Sequence, residues 1–144
     1  MTGLTTTLFN ALFDDEQLEL NRQLVKPQSL LWLDFIGACA TAFVTGLVLT
    51  TLVTTGLPCS ILMALSLVAI CYAGFDGCAL RFWPTSKWPL LVIGVLNLAY
   101  CLAATSVCLL YRESLTHLGA AYFFLEACIV VPLAIVEIRA SKGI

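Results

Sequence analysis

The chain has 144 residues, of which 60% are hydrophobic and 11% charged, and its formal net charge is −2. A water-soluble domain carries about a quarter charged residues, so this composition excludes an ordinary soluble enzyme and a basic nucleic-acid binder. It accommodates one domain, most of it taken by four apolar runs: Leu30 to Val53, Pro58 to Leu80, Pro89 to Tyr111 and Leu115 to Ile138.

Residues 1–27 precede the first run and lack the positively charged start of a signal peptide. The apolar run after Pro27 also comes too late and is too long for one, so the first span is expected to stay in the mature protein. Asp14, Asp15 and Glu16 lead into Leu18, Leu20, Leu24 and Val25, with Arg22 and Lys26 towards the end. Acidic residues early and basic residues late suit a short amphipathic helix lying at the membrane surface, which Pro27 would end.

An apolar helix of about 20 residues crosses roughly 30 Å of hydrocarbon, and each run is long enough. Phe43 to Val53 and Ile61 to Ile70 hold nothing more polar than Thr, Ser and Gly, so neither has the polar face of a soluble bundle helix. The fold class is therefore all-α: an integral membrane four-helix bundle over residues 28–144. Short connections imply an up-down-up-down order.

Orientation follows from Lys and Arg, which accumulate on the cytoplasmic side. Arg22 and Lys26, Arg81 and Lys87, and Arg139 and Lys142 fall on one side, and only Arg112 on the other. Both termini are expected to be cytoplasmic, in a bacterial inner membrane. Trp32, Trp83 and Trp88 lie near that face, where indoles favour the headgroup region.

Helix contact in lipid depends on small residues. Gly37, Thr41 and Thr45 supply them in span one, and Gly94, Cys101, Ala104 and Cys108 in span three. Against this background Asp34, Asp76, Asn97, Glu126 and Glu137 stand out, because a carboxylate in hydrocarbon costs several kcal/mol unless protonated, paired or hydrated. Asp34, Asp76 and Glu137 lie within about a turn or so of the cytoplasmic ends. Glu126 lies roughly 18 Å in, near the bilayer centre, with Asn97 between these levels.

Helical phase puts Asp34 on the face of Gly37, Thr41 and Thr45, and Asn97 on that of Gly94, Cys101 and Cys108. Tyr122, Glu126, Val130 and Glu137 share one side of span four. These residues sketch a polar path from the cytoplasm to Glu126, with Asn97 and Tyr100 as its hydrogen-bonding partners and Asp34 and Asp76 at the entrance. Arg81 is an alternative partner for the two aspartates. Pro132 lacks an amide hydrogen and so frees the carbonyl of Cys128, expected close to Glu126.

Seven cysteines include Cys39, Cys71, Cys101 and Cys128, one per span at similar depth. Without a Cys-x-x-Cys pair they read as packing residues rather than a redox or metal centre, and no metal or cofactor is expected. His117, the single histidine, reads as an interfacial residue at the start of span four.

The pattern resembles small uncharacterised bacterial membrane proteins of four spans. Leu31-Trp32-Leu33-Asp34, Leu96-Asn97-Leu98, and Glu126-Ala127 followed by Glu137 carry the resemblance. It implies no activity. Small four-helix multidrug exporters have a similar size, but their essential acid falls mid-way along the first span, where this chain has Thr41 and Ala42.

The expected function is binding of a small molecule or ion at Glu126, Asn97, Tyr100, Asp34 and Asp76, as in a proton-linked transporter. Four helices enclose little volume, so transport would call for a homodimer in the lipid bilayer. The opposing reading is a structural or accessory subunit whose polar groups specify helix packing. An intramembrane enzyme would have to act through an acid pair such as Asp34 and Asp76.

Overall fold

A computed structural model describes residues 26–142. Apart from the tip of residues 26 and 27, the expected amphipathic segment at 1–27 lies outside the described residues. Among the described residues, four helices long and apolar enough to cross a membrane make up the bundle: α1, Pro27–Thr51; α2, Cys59–Phe82; α3, Trp88–Leu110; and α4, His117–Lys142. With their polar groups turned inward, they make the chain an integral, multi-pass membrane protein.

The helix ends differ from the apolar runs by a few residues, for local reasons. α1 begins at Pro27 rather than Leu30, since proline's fixed φ and missing N–H are tolerated in a first turn. α3 likewise starts one residue before Pro89. α4 starts after Thr116, whose Oγ1 accepts the Gly119 N–H at 3.2 Å. It continues past Ile138 to Lys142, where Arg139 and Lys142 complement the carbonyl end of the dipole.

α1 is not a regular α-helix throughout. Val44–Val48 forms a π-turn, followed by a last α-helical turn over Leu49–Thr51. Ser66 of α2 donates to the Ala42 carbonyl at 2.9 Å just before this turn. A π-bulge and a side chain inserted beside the i→i−4 ladder are both known causes of helix kinks, and α1 has the two together. Gly46 fits there because a Cβ would collide with Ser66. Thr50 and Thr51 then back-bond to the carbonyls of Gly46 and Leu47, a pattern that bends helices.

α1 packs chiefly on α2 and α3 on α4, and the two pairs meet through thinner contacts. Gly94 lets α3 and α4 approach closely: a Cβ there would stand 2.8 Å from Ile138 Cγ1 and 3.0 Å from the Ala134 carbonyl. Gly37, by contrast, is exposed with nothing near it, so it takes no part in the expected small-residue contact. The first and third connections are tied together where Thr116 N–H donates to Thr55 O and Thr116 Oγ1 to Thr54 O, both at 2.9 Å. Gly56 turns the first connection at φ +82°, a conformation that side chains disfavour.

Exposure is inverted relative to a soluble bundle. Leu102 and Phe124 are 70% and 73% exposed, whereas Asp76 and Glu137 are 0% exposed. Apolar side chains such as Ile36, Leu67 and Ile129 face outward around the bundle. Hydrocarbon is the medium that accommodates such a surface. Trp83 and Trp88 pack edge to face with centroids 6.3 Å apart at the ends of α2 and α3.

Candidate functional site

Two buried polar sites lie inside the bundle, and every candidate residue belongs to one of them. The first brings together Asp34 of α1, Asp76 of α2, Asn97 of α3 and Glu137 of α4, one from each helix and all buried. Asn97 donates from Nδ2 to Asp34 Oδ1 at 2.7 Å and to Glu137 Oε2 at 3.3 Å. One amide thereby bridges the α1–α2 and α3–α4 pairs. Its neighbours explain why it can: Gly94, one turn earlier, keeps α3 close to Glu137, and buried Ala69, Ala73 and Ala79 leave room along α2.

This group contains more acceptors than donors. Asp34 Oδ2, both oxygens of Asp76 and Glu137 Oε1 are buried with no hydrogen-bond donor among the described residues. Asp76 lies beside Asp34 in this group. Two carboxyl groups can hydrogen-bond only through a proton held by one of them. Arg81, considered as a partner for the aspartates, is exposed and does not pair with them. Among the described residues, no three or more His, Cys, Asp or Glu side chains are grouped so as to hold a metal ion.

The second site is built around Glu126 of α4. Tyr100 of α3 and Tyr122 of α4 both donate to Glu126 Oε1, at 3.3 Å and 3.4 Å. The Tyr122 hydroxyl also meets Thr45 Oγ1 of α1 at 3.2 Å. Thr45 is completely buried within the π-turn, so the irregular stretch of α1 presents the hydroxyl that meets Tyr122. Thr41 stands close to Glu126 one turn earlier.

These arrangements correct the single polar path expected from helical phase. Asn97 bonds Asp34 and Glu137 rather than Glu126, while Tyr100 does reach Glu126. Tyr72 of α2 lies at the junction of the two sites, its ring edge-on to Tyr100 with centroids 6.4 Å apart and its hydroxyl donating to Leu96 O at 3.1 Å. The cavity beside Glu126 opens between α3 and α4 towards Leu115, away from Asp34 and Asp76. Pro132 and Cys128 are exposed on the outer side of α4, so the carbonyl freed by the proline does not contribute to buried Glu126.

Glu137, expected on the same side of span four as Glu126, belongs instead to the first site, with Asn97. Tyr122 was visible as the residue one turn before Glu126 on the same face. Thr45 was visible only as a small residue on the face of Asp34; its partner Tyr122 was not. Among the seven cysteines only Cys101 is buried; Cys39, Cys59, Cys71, Cys78 and Cys128 are exposed and contribute nothing to the core. Comparison with protein-family models, with curated proteins and with solved structures returns no match.

Proposed function

We propose that the protein binds a small molecule or ion inside its helix bundle and couples that binding to proton exchange, as a proton-linked transporter does. The observation that carries this reading is the group of Asp34, Asp76 and Glu137, buried with no basic partner among the described residues and with four oxygens lacking donors there. Such a group is costly as a purely structural element, because unpaired buried carboxyls cost several kcal/mol in hydrocarbon. A proton shared among the three acids relieves that cost and is available for exchange.

In this reading Asp34, Asp76, Glu137 and Asn97 hold the proton, and Glu126 with Tyr100 and Tyr122 receives the ligand. Positive charge around Lys26, Arg81, Lys87, Arg139 and Lys142 supports an up-down-up-down order with the proton site towards the cytoplasm and both termini on that side. The thin contact between the two helix pairs is where a rocking motion would expose the sites in turn. A second copy of the chain would complete the route.

The competing reading makes the polar groups packing determinants. It draws on a specific observation: three hydrogen bonds, Asn97 to Asp34, Tyr72 to Leu96 O and Thr45 with Tyr122, cross between the helix pairs. Infrared difference spectroscopy in lipid nanodiscs separates the two readings. A protonated-carboxyl band that changes reversibly with pH in the wild type and is lost in Asp76→Asn supports proton exchange. A band that stays constant across the pH range leaves the packing role.

A further inference from the structure

We infer that the cleft beside Glu126 is a binding site for a small amphipathic amine, which enters between α3 and α4 with its ammonium group against Glu126 and its apolar part in the cleft. The inference rests on the reading of Glu126 as a ligand-binding acid and specifies what that ligand is.

Among the described residues Glu126 is the only charged side chain lining the cleft, and it is not fully sealed, at 9% exposure. Its two tyrosine donors both act on Oε1, the hydroxyl of Thr41 stands close by, and all of these neighbours are neutral. A carboxylate accepts hydrogen bonds and cannot give them, so the group that pairs with it must be a donor. In a low-dielectric setting the best donor is a cation, and the lining supplies none. Arg112, the nearest basic residue in the adjoining connection, is exposed and does not line the cleft.

The remainder of the cleft is apolar: Ala104, Cys108, Leu115, Ala120, Phe123 and Phe124 form its walls. Thr105 also lines it, but its hydroxyl is used on the Cys101 carbonyl at 2.7 Å. Phenylalanine rings in the same lining as a carboxylate suit a cation, which is attracted to the ring quadrupole where it meets a ring face. The volume is about 200 Å³, below the roughly 300–1,000 Å³ of sites for drug-sized molecules. That admits a single ring or short alkyl chain on an amine and excludes a lipid with two acyl chains. The cleft opens on the outer surface of the helix pair, where exposed Phe124 and Leu102 face hydrocarbon, so an amphipathic ligand reaches it from the membrane.

The test is isothermal titration of the full chain in lipid nanodiscs with 2-phenylethylamine, 2-phenylethanol and 3-phenylpropionate, each corrected against empty nanodiscs. The amine is expected to bind saturably, and the alcohol and the acid at least about tenfold more weakly. Glu126→Gln should weaken the amine by about tenfold or more and leave the alcohol unchanged. Ala120→Trp, at an exposed wall position, should block all three without touching the acid. Retained helical circular dichroism and elution volume confirm that each variant is folded.

Equal affinity for amine and alcohol, an amine affinity untouched by Glu126→Gln, or no binding above empty nanodiscs each overturns the inference. Asp76→Asn keeps the two questions apart. Amine binding that survives it, together with an invariant carboxyl band in the wild type, would reject proton coupling and retain the amine site.

Discussion

Replacing Asp76 with Asn is expected to make the protein more stable while abolishing proton exchange. In the folded chain Asp76 is fully buried, and neither of its oxygens has a donor. Asparagine has nearly the same shape, but its amide carries two donors, and Asp34 Oδ2 and Glu137 Oε1 are neighbouring acceptors without partners. A buried group left unsatisfied costs about 1–3 kcal/mol. A hydrogen bond between membrane helices contributes about 0.6 kcal/mol on average and about 1.7 at most. One or two new bonds, together with the loss of one acid from a group of three, should therefore stabilise the bundle by about 1–2 kcal/mol. Reversible unfolding in mixed detergent micelles measures this directly, by helical circular dichroism against denaturing detergent. A destabilisation of about 1 kcal/mol or more would refute the reasoning, because it would mean that Asp76 makes a favourable interaction in the native bundle that asparagine cannot replace. Stability gained where activity is lost is the usual signature of a site kept for function rather than packing.

Gly94→Leu should cost about 1–3 kcal/mol in the same unfolding assay, since the new side chain must displace Ile138 and the Ala134 carbonyl from the α3–α4 contact. Gly37→Leu should change stability by under about 0.5 kcal/mol, because nothing lies near that position. Thr45→Val removes the partner of the Tyr122 hydroxyl at nearly constant volume; a loss of about 0.6–1.7 kcal/mol and a shifted Glu126 carboxyl band in infrared spectra are expected. Cys59 begins α2 beside the first connection and is exposed, whereas Cys101 is buried. A membrane-impermeant maleimide should modify Cys59 in intact cells, which would also place the first connection outside; labelling of Cys59 only after lysis would invert the proposed orientation.

The helices themselves were legible in the residues. Hydrocarbon offers the backbone no hydrogen-bond partners, so a continuous apolar run of sufficient length has few alternatives to a helix. Leu30 to Val53 and the three later runs accordingly foretell α1 to α4 to within a few residues. Charged and polar exceptions inside such runs are equally conspicuous, which is why Asp34, Asp76, Asn97, Glu126 and Glu137 stood out. Their partners were less legible. Helical phase assigns a residue to a face of its own helix, yet it says nothing about which neighbour that face meets or at what height.

Only the tertiary structure decided that Asn97 joins Asp34 to Glu137, that Glu126 takes two tyrosines instead, and that Tyr72 lies between the two sites. The π-turn at Val44–Val48 is the clearest case. It lies beside a contact from Ser66 on another helix and contains Thr45, which meets Tyr122. No local property of Val44-Thr45-Gly46-Leu47-Val48 calls for it. The apolar length of each span is set one residue at a time by transfer into lipid, whereas the donors and acceptors of a buried site are matched only when all four helices are packed together.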